Sequence, residues 1–233
     1  MLYNKDKPSS GGQDSEPGCG RFITFEGIDG SGKTTQIALL ADRLQADGVH
    51  VRTMREPGGT VIGEAIRGIL LDHKHADMHI ETELLLFSAA RAQLVREVII
   101  PALKAGIWII CDRFYDSTVA YQGYGRGLDL DMIQAINGLA SDHCKPDVTV
   151  LLDLPAETAC GRRSARMATA DRIDCESLSF MSCTRRGYLK IAQSEPDRFI
   201  VVDAEQKEEQ LAQHIYSDIR RALAYETNFC DCT

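Results

Sequence analysis

The segment richest in chemistry is Gly27-Ile28-Asp29-Gly30-Ser31-Gly32-Lys33-Thr34-Thr35, which follows the apolar run Phe22–Glu26. Its core matches G-x-x-x-x-G-K-[ST], placed where a strand should end and a helix begin. Glycines there let successive backbone N–H groups turn inward, and the helix N-terminus adds positive potential, so a polyphosphate meets a nest of donors. Lys33 would neutralise the β/γ end, and the Thr34 hydroxyl would reach a Mg²⁺ that bridges β- and γ-oxygens. The nucleotide-holding set is therefore Gly27, Gly30, Ser31, Gly32, Lys33, Thr34 and Thr35. A glycine-rich structural turn with a chance lysine is the alternative.

A bound nucleotide can pass its phosphate to water or to an acceptor. The base-reading Asn-Lys-x-Asp of a GTPase does not follow the later strands, and Asn4-Lys5-Asp6 has the wrong spacing and precedes the cradle. An acceptor kinase needs a second anion site facing the first and a means of excluding water. Ile109-Ile110-Cys111-Asp112-Arg113 supplies an acid and a base at the end of an apolar run. At the carboxyl edge of a parallel sheet, Asp112 could join the metal's water shell and Arg113 could clamp a phosphate with its planar guanidinium. The same pair could be a structural salt bridge.

Those residues need a scaffold, and the pattern provides one. Short apolar runs alternate with helical periods, the signature of βαβ units on a mostly parallel sheet. Strands are expected at Phe22–Glu26, Val49–Met54, Ile107–Asp112, Val148–Asp153 and Phe199–Val202. Ile37, Leu40, Ala41 and Leu44 fall at i, i+3, i+4, i+7 and predict a helix over 33–47 that Gly48 can terminate. Further helices are expected over 60–72, 80–104, 129–141, 156–168, 176–194 and 207–225. The expectation is an α/β, three-layer α/β/α fold with a five-stranded parallel sheet. Residues 161–175, with four arginines and little apolar content, read as a helical surface lid. One domain over 21–225 would lie between a disordered tail at 1–20 and a C-terminal tail at 226–233.

Four more motifs accompany the cradle: Arg55-Glu56-Pro57-Gly58-Gly59-Thr60; Phe87 with Arg91; the run Asp112 to Gly123 (DRFYDSTVAYQG); and Asp171-Arg172-Ile173-Asp174. Together, and in this order, they resemble the thymidylate kinase family of P-loop nucleoside monophosphate kinases over about residues 21–223. The likeness is to a bacterial-type member, with Gly30 where the eukaryotic type carries an arginine and with arginines in the lid instead. A guanidinium must meet the charge that develops on the transferring phosphoryl group, and cradle or lid can provide it.

The resemblance implies ATP-dependent phosphorylation of dTMP to dTDP, with Mg²⁺, in a cytoplasmic homodimer. It makes Asp29 a carboxylate near the acceptor 3′-hydroxyl and the metal, so the metal set would be Thr34, Asp29 and Asp112. Catalysis would fall to Lys33, Asp29, Arg166 and Arg172. Arg55 and Arg113 would hold the acceptor phosphate, Phe87 would stack on thymine, and Arg91 would reach a base carbonyl. Ser117 would join the acceptor site, Thr118 and Gln122 would address the base edge, and Tyr121 would exclude a ribose 2′-hydroxyl. Phe87 in LLLFSAA could equally be core, and Tyr121 could pack a loop. Asp174 stands where the family commonly has Glu.

Composition limits the alternatives. A net charge of −8 argues against a broad grip on nucleic acid, which needs a basic footprint. The longest apolar stretches are far short of the roughly 18 residues that span a bilayer. Eight cysteines at no metal-ligand spacing, in a chain that opens without a signal segment, suggest a reduced cytoplasmic protein. His73, His75 and His79 read as solvated loop residues rather than a metal site. Cys230 and Cys232 read as a frayed end. The stripe Leu130, Ile133, Ile136 and Leu139 is most simply core, although a homodimer would need some apolar helical face. The rivals are another nucleoside or nucleotide kinase of the same fold, although Arg55 and Arg113 as a pair favour a phosphorylated acceptor over a bare nucleoside, and an ATP-driven switch acting on protein or nucleic acid, which would hydrolyse without an acceptor or turn over when a partner stimulates it.

Overall fold

The computed structural model describes residues 20–165, 172 and 176–224. Most of the two expected tails and of the expected lid, Arg166 and Asp174 included, lies outside the described residues.

Five strands, β1 (Phe22–Glu26), β2 (Val51–Arg55), β3 (Trp108–Asp112), β4 (Val148–Asp153) and β5 (Phe199–Asp203), form one sheet in the order β2-β3-β1-β4-β5. Every pairing is parallel. β1 is buried along its whole length, as a central strand covered on both faces must be. Successive residues point to opposite faces. Phe22, Ile109 and Cys111 pack with Leu94, Val98 and Ile99, while Ile23, Phe25 and Ile110 pack in a second cluster with Ile37, Leu40, Leu44, Leu211 and Ile215.

Those partners come from α1 (Lys33–Ala46), from α3 (Ile80–Leu94) with its continuation, and from α9 (Glu208–Ala222). Between α1 and α3 lies α2 (Val61–Leu71); after α3 a π-helical stretch, Val95–Ile99, leads into α4 (Ile100–Lys104). The sequence predicts one helix over this run, and the π stretch is the refinement. There the Ile100 N–H reaches back to the Val95 carbonyl, so Pro101, which lacks an N–H, follows a ladder already shifted in register. Gly48 ends α1 as expected. With φ of +85° it lets its own N–H reach the Gln45 carbonyl and the Val49 N–H reach the Leu44 carbonyl.

The remaining helices are α5 (Tyr115–Thr118), continued by a π-helical stretch Val119–Gly125, then α6 (Leu130–Ser141), α7 (Ala156–Ala165) and α8 (Leu178–Ser194). The helical run from Tyr115 was not expected. Thr118, Val119, Gly123 and Gly125 are weak helix formers, and packing overrides their propensity. A Cβ on Gly187 of α8 would lie 2.7 Å from the Tyr124 ring, so only glycine admits that approach.

Two smaller corrections concern apolar residues. β2 starts at Val51 and β3 at Trp108, later than expected, because Val49 closes the end of α1 and the Ile107 N–H closes the end of α4 on the Ala102 carbonyl. The α6 stripe is not simply core: Ile133 is buried, but Leu130 and Leu139 are 41% and 75% exposed. Four residues at helical spacing cover more arc than the face α6 turns inward.

Candidate active site

The sheet order brings three motifs to one edge. Phe25 pairs with Asp112, the Arg113 N–H donates to the Phe25 carbonyl at 2.9 Å, and the Glu56 N–H donates to the Asp112 carbonyl at 3.0 Å. Cradle, Asp-Arg motif and REPGGT motif therefore meet at the carboxyl ends of β1, β3 and β2, where ligands of open parallel sheets collect.

In the cradle, Gly27, Gly30 and Gly32 have φ of +136°, +91° and +96°. A Cβ on Gly30 would lie 2.8 Å from the Ala159 carbonyl oxygen, so α7 closes against the turn only because the side chain is absent. Gly32 caps α1, and Thr34 and Thr35 stand in its first turn. Lys33, 7% exposed, donates to the Gly27 and Ile28 carbonyls at 3.0 and 3.3 Å, folding back over the turn it would neutralise. Burial, with Arg113 nearby, lowers the pKa of its ammonium. The Ser31 hydroxyl is buried without a partner. Thr34 Oγ1 donates to Asp112 Oδ2 at 3.3 Å, which puts two hard oxygen ligands side by side.

Arg113 joins the cradle to the neighbouring cleft. Its backbone has φ of +71°, a left-handed conformation uncommon for a side-chain-bearing residue. The guanidinium donates from Nη2 to Asp29 Oδ1 at 2.7 Å and to the Tyr121 hydroxyl at 3.0 Å; Tyr121 donates in turn to Asp29 Oδ2 at 2.8 Å. Burial would raise the Asp29 carboxyl, but Arg113 and then Lys33 outweigh it and hold the group well below the usual carboxylate range.

The cleft itself brings together Asp29, Phe87, Arg91, Arg113, Ser117, Thr118, Tyr121 and Gln122, eight of the residues singled out from sequence. Phe87 is part-buried on its wall rather than core. Arg91, one helical turn on, is 2% exposed, and its guanidinium is engaged within the protein by four hydrogen bonds and an ion pair. Nε and Nη2 hold Glu56 Oε2 at 2.8 and 2.7 Å, Nη1 holds Thr118 Oγ1 and Asn137 Oδ1 at 2.9 Å each, and Nη2 also reaches the Phe114 carbonyl at 3.2 Å. Gln122 donates to Glu83 Oε1 at 2.9 Å.

Two expected residues sit elsewhere. Arg55 turns outward onto both oxygens of Glu64, at 3.1 and 3.0 Å. Arg172 donates to Glu83 Oε2 at 2.6 Å and to the Leu70 carbonyl at 2.8 Å, sharing Glu83 with Gln122. Sequence reasoning passed over three residues near the site. Glu56 lay unused inside a recognised motif, and its Oε1 is buried without a partner. Arg67 lines the cleft from α2 and donates to the Pro57 carbonyl at 3.0 Å, a position that only the helix's placement discloses. Tyr188, on α8, reaches Arg113 from far along the chain with no local signal.

A parallel sheet whose central strand runs through a glycine-rich turn into a helix defines the P-loop class, and the cleft beside it marks an acceptor-using kinase. The chain belongs to the thymidylate kinase family: that family's model matches residues 25–215. It is 51% identical over 189 residues to the thymidylate kinase of Citrifermentans bemidjiense, covering 79% of this chain and 84% of that one. Similar proteins include the thymidylate kinases of Trichlorobacter lovleyi, 47% identical over 87% of this chain and 98% of that one, and Desulforudis audaxviator, 45% identical over 91% and 96%.

Proposed function

We propose that the protein transfers the γ-phosphoryl group of ATP to dTMP, giving dTDP and ADP. The observation that carries this reading is Arg113, whose guanidinium lies in the acceptor cleft while paired to Asp29 of the cradle. A phosphate held on Arg113 faces the polyphosphate held by the cradle. The acceptor phosphate is already nucleophilic at neutral pH, so its oxygen attacks the γ-phosphorus without a strong base and ADP leaves; catalysis is alignment and charge neutralisation. Lys33 supplies positive charge at the β/γ end. Phe87 stacks on the base, Thr118 and Gln122 meet its edge, and Arg91 supports that edge through Thr118. Tyr121, fixed by Asp29 and Arg113, lies against the sugar and disfavours ribose. Arg55 would assist on the phosphate side on leaving Glu64, Arg172 on leaving Glu83, and Arg166 would serve from the lid over 161–175.

The neighbouring oxygens of Thr34 and Asp112 suit Mg²⁺, with Asp29 as a further ligand. The ion would neutralise charge between the β- and γ-phosphates. A homodimer is supported by adjoining α2, α3 and α6, which leave Val61, Ile62, Ile69, Leu85 and Leu139 exposed. Cytoplasmic residence fits thiols rather than disulfides at Cys111, Cys144 and Cys183. Among the described residues no helix is long and apolar enough to cross a membrane. Residues 21–225 form the kinase domain, between tails at 1–20 and 226–233.

The test is ADP release with ATP and Mg²⁺ across dTMP, dUMP, dCMP, dGMP, AMP, thymidine and no acceptor. Turnover strongly favouring dTMP is expected. Equal turnover without acceptor, or preference for thymidine, overturns the acceptor-site assignment.

A further inference from the structure

Arg113 is held from two sides. Nη2 faces Asp29 and Tyr121, as described; Nη1 donates to Ser117 Oγ at 3.2 Å and to the Tyr188 hydroxyl at 3.0 Å. Those two oxygens are 2.7 Å apart, and both donate to Oε2 of Glu26, at 2.6 and 2.9 Å. Glu26 is the last residue of β1, directly ahead of the cradle, and is wholly buried; its Oε1 accepts the Phe114 N–H at 2.7 Å. Neither Glu26 nor Tyr188 lines the cleft, and Tyr188 is 1% exposed.

A hydroxyl has one proton and two lone pairs. When Glu26 is ionised, Oε2 draws the protons of both hydroxyls, so their lone pairs face Nη1 and the guanidinium is clamped by acceptors on both of its nitrogens. The left-handed backbone of Arg113, at φ of +71°, is itself an uncommon conformation that the surrounding contacts hold in place. Core packing does not explain the arrangement: a phenylalanine at 188 would fill the same volume without the oxygen. We propose that Glu26 and Tyr188 are positioning residues for the acceptor phosphate, acting through Arg113, so that α8 fixes the angle at which Arg113 meets it. This rests on the reading that Arg113 holds that phosphate.

A double-mutant cycle separates the two claims. Arg113→Ala alone should raise the KM for dTMP far more than that for ATP; an unchanged dTMP KM overturns the underlying reading and this proposal with it. Tyr188→Phe, with Arg113 intact, should raise the dTMP KM about tenfold, one hydrogen bond's worth, with the ATP KM within about twofold. In the Arg113→Ala background the same change should add nothing. A Tyr188→Phe effect that persists there, or falls equally on both substrates, refutes the positioning role while leaving Arg113's own role standing. Glu26→Gln, which puts a donor where Oε2 accepts, should reproduce the Tyr188→Phe signature. If that variant does not fold, Tyr188→Phe in the two backgrounds decides the question.

Discussion

Replacing Arg91 with lysine is a demanding test of the site's architecture. The guanidinium of Arg91 serves four acceptor atoms: Glu56 Oε2, Thr118 Oγ1, Asn137 Oδ1 and the Phe114 carbonyl. A lysine ammonium has three donors on one nitrogen, so at least one acceptor loses its partner by count. A second is lost by geometry, because acceptors arrayed around a planar fork cannot all be reached from one point. The site is 2% exposed, so water cannot compensate. Two orphaned acceptors at about 1–3 kcal/mol each cost about 2–6 kcal/mol. For a chain of this size each kcal/mol lowers Tm by about 2–4 °C, so a fall on the order of 10 °C is expected. Urea unfolding followed by tryptophan fluorescence and calorimetry would measure it, with the dTMP KM recorded in parallel because Thr118 lines the cleft. Arg91→Met should be worse still, since it leaves the buried Glu56 carboxyl without its counter-charge or donors, and adding Glu56→Gln should return part of the loss. An Arg91→Lys variant within about 1 kcal/mol of the parent would refute the hub.

Two other outcomes are expected. Lys33→Ala should lower kcat by about 10³ or more while the fold is retained by circular dichroism; near-normal turnover would reject the cradle assignment. Burial, reinforced by Asp116, pushes Glu26 up to about 7 from an ordinary value of 4.5. The folded state thus binds more protons than the unfolded one between those values, so this contribution is fully present below about 4.5 and is lost as pH rises through about 7, amounting to roughly 3 kcal/mol. Urea unfolding at pH 5.5 and 8.0 should show wild type losing more stability than Glu26→Gln over that interval, with the histidines common to both; parallel slopes would disprove it.

Much of this was legible in the sequence because its signals are local. The cradle, the end of β3 and the Schellman stop at Gly48 each rest on a few adjacent residues whose backbone requirements are specific. The acceptor motifs were legible as a set, and the cleft gathers Phe87, Arg113, Thr118 and Tyr121 as their order implied. What stayed hidden is long-range. The helix from Tyr115 exists because α8 packs on it, against the propensity of Val119 and its glycines. The sequence marks Arg91 and Arg172 as candidate site arginines, yet their hydrogen bonds run to Glu56 and Glu83, and no spacing rule pairs residues 35 or 89 positions apart. Tyr188 offered a buried aromatic in a helical stripe and nothing more.

The all-parallel sheet has a practical corollary. β1 enters the sheet at Phe22 and reaches the cradle five residues later, about 17 Å away at strand rise. Gly20 is tied to the Leu103 carbonyl, and Tyr216 of α9 bonds Asp47 at the far end of α1, so the described chain both begins and finishes on the amino edge. Substrates gather on the carboxyl edge. A tether or reporter joined directly at Gly20 or Ala224 would thus leave from the side opposite the cradle.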